Sequence, residues 1–368
     1  MIWFNDRISI RQLQLLLILN IFGAGIILLP RLVAQQAGRD GWILIILATI
    51  LAIFCTYIIS SLGRKFPTQS FYEYSSMILS KPIGFILSIG FVLRLIFHIA
   101  LELRIFGEVV KQTMLYNTPF SVICIAVLVV SGFASAKGYE TRARIAEILA
   151  IIIFIPIIIV FLISAFNVDF SNILPMMQTP PQTIFKGGFH TLSAFIGIEL
   201  ILMVYPYISN RNNVQKGTIH AVILLGAFMT VITIITIARF GSYDIENQMW
   251  PVIEMLNSSA LPNSFLQRQG VFIMSFFIIS LFAVVNAGLF FSSIILKSII
   301  KKGKHSYYII LAMIITFFVS LIPKNMIDVY KYLDLLFITF GVSYMLVIPS
   351  ILLFVAKMRG LGERYGKS

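Results

Sequence analysis

The sequence predicts an all-α integral membrane protein, a single domain over residues 1–368 built from about ten transmembrane helices. Three observations predict it. Hydrophobic residues make up 59% of the chain and charged residues only 12%, against roughly 25% charged in a soluble domain, so there is too little charge to cover a water-facing globule. The apolar residues fall in blocks rather than stripes, and about 20 helical residues cross a hydrocarbon core. Period-two alternation is absent, which excludes a closed barrel and leaves helices to satisfy the backbone in lipid.

In order, the apolar blocks place spans at 11–37, 41–62, 83–111, 119–135, 145–166, 185–207, 218–239, 270–297, 307–322 and 330–356. Charges between the blocks orient them. With the N-terminus inside, the inner connections and tails hold 18 of the 28 Lys and Arg residues, among them Arg64, Lys65, Arg142, Arg144, Lys297, Lys301, Lys302 and Lys304. The outer connections hold eight, and Arg94 and Arg104 lie within the third span. The positive-inside rule then puts both termini in the cytoplasm, as an even span count requires. The same asymmetry accounts for the net charge of +13 as attraction to an anionic inner leaflet; no basic recognition helix exists, so no nucleic-acid partner is expected.

Between spans two and three, Ser70-Phe71-Tyr72-Glu73 has capping-box spacing and predicts a short amphipathic helix through Leu79 on the cytoplasmic surface. The longer outer loop at 240–269 carries Trp250-Pro251, with the Trp read as an interfacial anchor. Cys55 and Cys124 lie inside apolar blocks and offer neither a disulfide framework nor a metal site. The first apolar block lacks a cleavage site and is expected to remain as a span.

Two interruptions carry the functional reading. Gly23-Ala24-Gly25-Ile26 runs on to Pro30 in the first span. Glycine costs a helix about 1 kcal/mol and proline removes a backbone bond. Unwinding there frees peptide groups at membrane depth, where they must line a cavity or meet a ligand; close packing through small residues is the competing reading. The sixth span reads Phe195-Ile196-Gly197-Ile198-Glu199, with Pro206 beyond. Gly23 lies 12 residues after Arg11, and Gly197 lies 12 after Phe185. Interrupted helices at matching positions of two five-span halves point to an inverted-repeat transporter fold with its ligand near the midplane. The repeats are expected at about 8–167 and 183–357. The half-helix ends at Ala24–Ile26 favour a ligand carboxylate.

Ionisable residues inside spans are costly and face a cavity or a partner. Arg94, His98 and Glu102 follow one another at i, i+4 steps on one face of the third span. They read either as a polar cavity wall or as ion-paired structural groups; Arg104 and Glu108 read as an ion pair. Glu199 has three possible roles: accepting protons, bonding freed amides, or partnering an arginine. In the eighth span, Ala283 and Asn286 complete the candidates, with a helix-to-helix hydrogen bond expected of Asn286. His98, His190, His220 and His305 show no metal-ligand spacing, and no phosphate loop or nucleophile elbow occurs. Neither an enzyme nor an ATP-driven pump is expected, and no cofactor is called for.

The words GAGIILLPR at 23–31, DGW at 40–42, ELRIFGEVV at 102–110, TP at 118–119, GIE at 197–199, WP at 250–251 and PKNMIDVYKY at 323–332 occur in order along the chain. Through them the sequence resembles the amino acid–polyamine–organocation superfamily, and more closely the endospore germination permeases, the B subunits of spore germinant receptors. The resemblance implies a five-plus-five inverted repeat whose cavity binds a small germinant, often an amino acid, in the spore inner membrane. It implies partner A and C subunits, and a sensor rather than an importer. Carried over residue by residue, the site comprises Gly25, Arg94, His98, Ile196, Gly197 and Ala283. Arg94 and His98 are larger and more polar than the residues some relatives carry there, which fits a more polar ligand. A proton- or sodium-coupled amino acid symporter, with Glu102 or Glu199 carrying the proton, is the alternative function on the same fold.

Overall fold

The computed structural model describes residues 7–362 except 24, 114, 166–167, 249 and 259–268. Among the described residues there is no strand beyond one isolated bridge between Ile8 and Ile208.

The first predicted span is two helices, α1 (Ile10–Ile21) and α2 (Gly25–Ala37). Ser9 caps α1 in a reciprocal box with Gln12, satisfying donors that helix geometry leaves unpaired. A single 3-10 turn, Gly38–Asp40, joins α2 to α3 (Gly41–Lys65). The capping box at Ser70 and Glu73 opens α4 (Phe71–Ile78) as its spacing predicts. That helix does not merely lie on a surface. Phe71, Tyr74, Ser75 and Ile78 are buried, and the Tyr74 hydroxyl donates to the Leu202 carbonyl.

Next come α5 (Lys81–Thr113), α6 (Phe120–Ser135) and α7 (Tyr139–Ala165). The sequence reading started the fifth span at 145 and left Arg142 in a cytoplasmic connection. The structure extends the helix to Tyr139 and buries Arg142. The sixth interval is broken, with α8 (Pro181–Thr191) and α9 (Ile201–Val204) linked through 3-10 turns on either side of Ile196–Gly197. The two halves, Pro181–Phe195 and Ile198–Tyr207, are bent by 52°.

After α10 (Val214–Phe240), the outer connection folds as α11 (Ser242–Asn247) and α12 (Pro251–Ser258). Trp250 is not an interfacial anchor: it is buried, with its indole N–H directed at Gln112 Oε1, 3.4 Å away. The remaining helices are α13 (Gln269–Ile300), α14 (His305–Ser320), α15 (Met326–Leu336) and α16 (Ile348–Met358), with two π-helical segments, Phe337–Gly341 and Ser343–Val347, between the last two.

Five described helical stretches are long and apolar enough to cross a membrane, and the bent pair makes a sixth. Ile10–Ile21, Phe120–Ser135 and His305–Ser320 are apolar but shorter. Large apolar side chains such as Ile50, Phe54, Phe133, Ile155, Phe318 and Phe354 point outward, as lipid-facing surface does. Helix α13 packs between α5 and α6, and α3 packs on α8 and α10. The breaks themselves are buried, at Phe22 in the first helix and at Phe195, Ile196 and Glu199 in the second. Near the first described residues the Ile8 N–H donates to the Tyr207 carbonyl, and near the last Arg359 donates to the carbonyls of Met77 and Ile78.

Candidate functional site

The two helix breaks touch. Helix α1 stops at Ile21, and the Gly23 N–H turns back to the Ile21 carbonyl at 2.8 Å. The Phe22 carbonyl is met by the Ser280 hydroxyl from α13. In the other break Gly197 has φ +123°, a region that favours glycine. A Cβ placed there would lie 3.2 Å from the Ile21 side chain and 3.6 Å from the Asn20 carbonyl oxygen.

Each break has a resident carboxylate. Glu199 accepts the Gly197 N–H through both oxygens, at 2.9 and 3.1 Å. It thereby caps the helical segment that begins at Ile198, where negative charge is favoured. The same carboxylate is ion-paired with Arg94, and both side chains are 1% exposed or less. At the other break, Glu102 lies so close to Gly23 that a Cβ added there would fall 2.9 Å from Oε2. A ligand carboxylate was expected to cap the freed amides at the first break. The structure puts a side-chain carboxylate beside that break. Ala24, which belongs to the predicted site, lies outside the described residues.

Of the trio on α5, Arg94 is partnered and Glu102 sits at the first break. Between them His98 is half-buried, and its Nδ1 atom, shut off from solvent, has no hydrogen-bond partner. Arg94 spends Nη1 on Glu199, whereas its Nε and Nη2 are buried without partners. Unfilled buried donors of this kind are costly. They border a void of about 10 Å³ lined by Asn20, Arg94, His98, Gly197, Ala287 and Gly288 among others. On the other side of Asn20 a second void of about 10 Å³ is lined by Arg142, Ala283 and Asn286. Each is about the size of one water, so the centre is closed.

The remaining predicted residues divide. Gly25 begins α2, and a Cβ added to it meets nothing within 4 Å. Ile26, Phe195 and Ile196 are buried wall residues. Asn286 makes the expected interhelical bonds, donating to Ser131 O and Ser135 Oγ at 2.9 Å each and accepting from Arg142. Arg104 and Glu108 form an i, i+4 ion pair at 2.8 Å, with Arg104 over the Phe120 ring; they stand apart from the two voids. Asn20, Arg142 and Ser280 were not foreseen in these roles. A lone amide three residues before Gly23 was the available signal for Asn20.

A helical membrane bundle with two broken helices meeting at a polar centre defines the transporter-like class. Solved structures share the fold. A nucleobase-cation-symport-1 family transporter, Mhp1, closed with bromovinylhydantoin bound, superposes with a TM-score of 0.72 at 10% identity over 95% of this chain and 78% of its own. MhsT in complex with L-phenylalanine gives 0.71 at 11% identity, over 95% and 89%.

The sequence profile of the spore germination protein family matches residues 7–329, and the chain belongs to that family. Among its relatives, spore germination protein YndE of Bacillus subtilis (strain 168) is 26% identical over 98% of this chain and 99% of its own length. Spore germination proteins B2 and KB of the same organism are each 26% identical, covering 94% and 82% of this chain and 93% and 80% of their own lengths. The chain is thus a multi-pass, transporter-like germination protein.

Proposed function

We propose that this chain is the nutrient-sensing subunit of a spore germinant receptor, and that a small amino-acid-like germinant binds where the two breaks meet. The observation that carries this reading is the buried Arg94 beside the half-buried His98, with their enclosed Nε, Nη2 and Nδ1 atoms left unfilled next to the broken helices. In this reading the ligand carboxylate takes the free Nε and Nη2 face of Arg94. Glu199 already accepts the Gly197 amide, and Glu102 holds the approach to Gly23. His98 bonds a polar group of the ligand, while Gly25, Ile196 and Ala283 bound its side chain.

The water-sized voids imply that the ligand is accommodated by a more open arrangement of the same helices. A ligand that binds the open form better shifts the population toward it, and that shift is the signal. The reading places the chain in the spore inner membrane with both termini cytoplasmic, as one domain of two repeats at about 8–167 and 183–357, in contact with A and C receptor subunits and with no catalytic role. The names of the B2 and KB relatives support it, as do the small molecules bound in the two structural neighbours.

The test is germination of spores carrying Gly25→Phe against a panel of amino acids. A Cβ at this glycine meets nothing within 4 Å, and receptor level in the spores reports whether the larger ring is tolerated. Loss of the response to one nutrient, at normal receptor level, is the expected result; an unchanged profile overturns the site. A buried carboxylate at the first break also suits a proton-coupled symporter. With Glu199 fixed by Arg94 and Gly197, Glu102 would carry the proton. Amino acid uptake by the purified chain alone in proteoliposomes, abolished by Glu102→Gln, would favour that function over sensing.

A further inference from the structure

A cavity of about 400 Å³ lies away from the helix breaks, between the start of α4, the end of the second broken helix and the last turns of α13. Along α13, Phe290, Ile294 and Lys297 line it at i, i+4 and i+7, on one helical face. Lys301, just past the helix end with φ +57°, adds a second, exposed lysine at the rim. Neither lysine forms an ion pair with any described residue. The nearby acid, Glu73, already accepts the Ser70 N–H at 2.8 Å in its capping box.

A general excess of cations at this face accounts for Lys302 and Lys304, which do not line the cavity. It does not account for two lysines placed above a floor of Phe71, Met203, Phe290 and Ile294. Apolar walls beside the half-buried Lys297 strengthen its attraction for an anion relative to open water, with the exposed Lys301 adding charge at the rim, and basic pockets of a membrane protein receive anionic head groups. We propose that this cavity binds an amphiphilic anion, a phosphate or carboxylate joined to an apolar body, with Lys297 and Lys301 holding the charge. The anion is supplied either by a lipid head group or by a free solute.

The wall opposite the lysines ties the cavity to the centre. Tyr207 lines the cavity, and its ring lies 4.9 Å from that of Tyr139, which stacks on Phe290. The Arg142 guanidinium sits over Tyr139 and Phe290 and donates to Asn286, a wall of the second void.

The experiment uses the full chain in nanodiscs. In phosphatidylcholine discs, phenyl phosphate is titrated by calorimetry; in discs containing phosphatidylglycerol, retained lipid is read by native mass spectrometry. Saturable phenyl phosphate binding identifies a free anion as the source, and selective retention of phosphatidylglycerol identifies a lipid. In either arm K297Q/K301Q weakens binding tenfold or more. Ser298→Trp, which fills the cavity with both charges kept, does the same, and K302Q/K304Q leaves binding intact. No binding in either arm overturns the proposal. So does equal binding by K297Q/K301Q, or an equal loss in K302Q/K304Q, which would mark diffuse attraction to the face.

Discussion

Arg94 and Glu199 form an ion pair that is almost completely withdrawn from solvent, and its removal makes a quantitative prediction. Arg94→Met leaves Glu199 with only the Gly197 N–H. Glu199→Leu leaves a buried guanidinium with no acceptor and also uncaps Gly197. Breaking one side of such a pair costs about 3–5 kcal/mol, because the other charge stays buried, and the uncapped amide adds about 1 kcal/mol. Removing both charges together leaves only the lost cap and imperfect packing, about 1–2 kcal/mol. Equilibrium unfolding of the purified chain in detergent, run as a double-mutant cycle, should therefore return a coupling of several kcal/mol. Simple additivity of the two single variants, within about 0.5 kcal/mol, would refute the reasoning.

Three further outcomes follow from the same geometry. Gly23→Ala puts a Cβ 2.9 Å from Glu102 Oε2, so the carboxylate at the end of that side chain has to swing aside, and the loss of stability should be about 1 kcal/mol or less. Glu102→Ala in the same chain should relieve part of that, as read by thermal melts of the single and double variants. Asn286→Leu removes bonds to Ser131, Ser135 and Arg142 and strands polar groups at about 1–3 kcal/mol each; lost thermal stability is its measure. Asp40 accepts from the Met177 and Thr179 backbone N–H groups and from the Thr179 hydroxyl. Asp40→Ala should free that segment and raise its rate of cleavage by added protease while the helical content by circular dichroism stays unchanged.

The breaks were legible because glycine pairs and prolines interrupt otherwise continuous apolar runs, a signal local in sequence. The same holds for α4, announced by Ser70 and Glu73, and for the Arg104–Glu108 pair at helical spacing. What was not legible depends on contacts across the bundle. Nothing in the spacing of Arg94 names Glu199, 105 positions away, as its partner. Arg142 looked like a loop cation because a charge near the end of an apolar block ordinarily marks a boundary. Packing against Tyr139, Phe290 and Phe291 and a hydrogen bond to Asn286 make its burial tolerable. Trp250 likewise was read from average behaviour at an interface, whereas Gln112, on a distant helix, gives its N–H an acceptor. The resident carboxylates change the chemistry expected of the centre, moving the predicted anchor of a ligand carboxylate from freed amides to the open face of Arg94.

The most direct measurement of the central claim is to label the purified receptor with a photoreactive analogue of its germinating amino acid and map the adduct by mass spectrometry. The account predicts adducts in peptides carrying Arg94 and His98 or residues 195–199, competed away by unlabelled nutrient and lost in Gly25→Phe. Specific, competed labelling confined to other helices or to a partner subunit would contradict it.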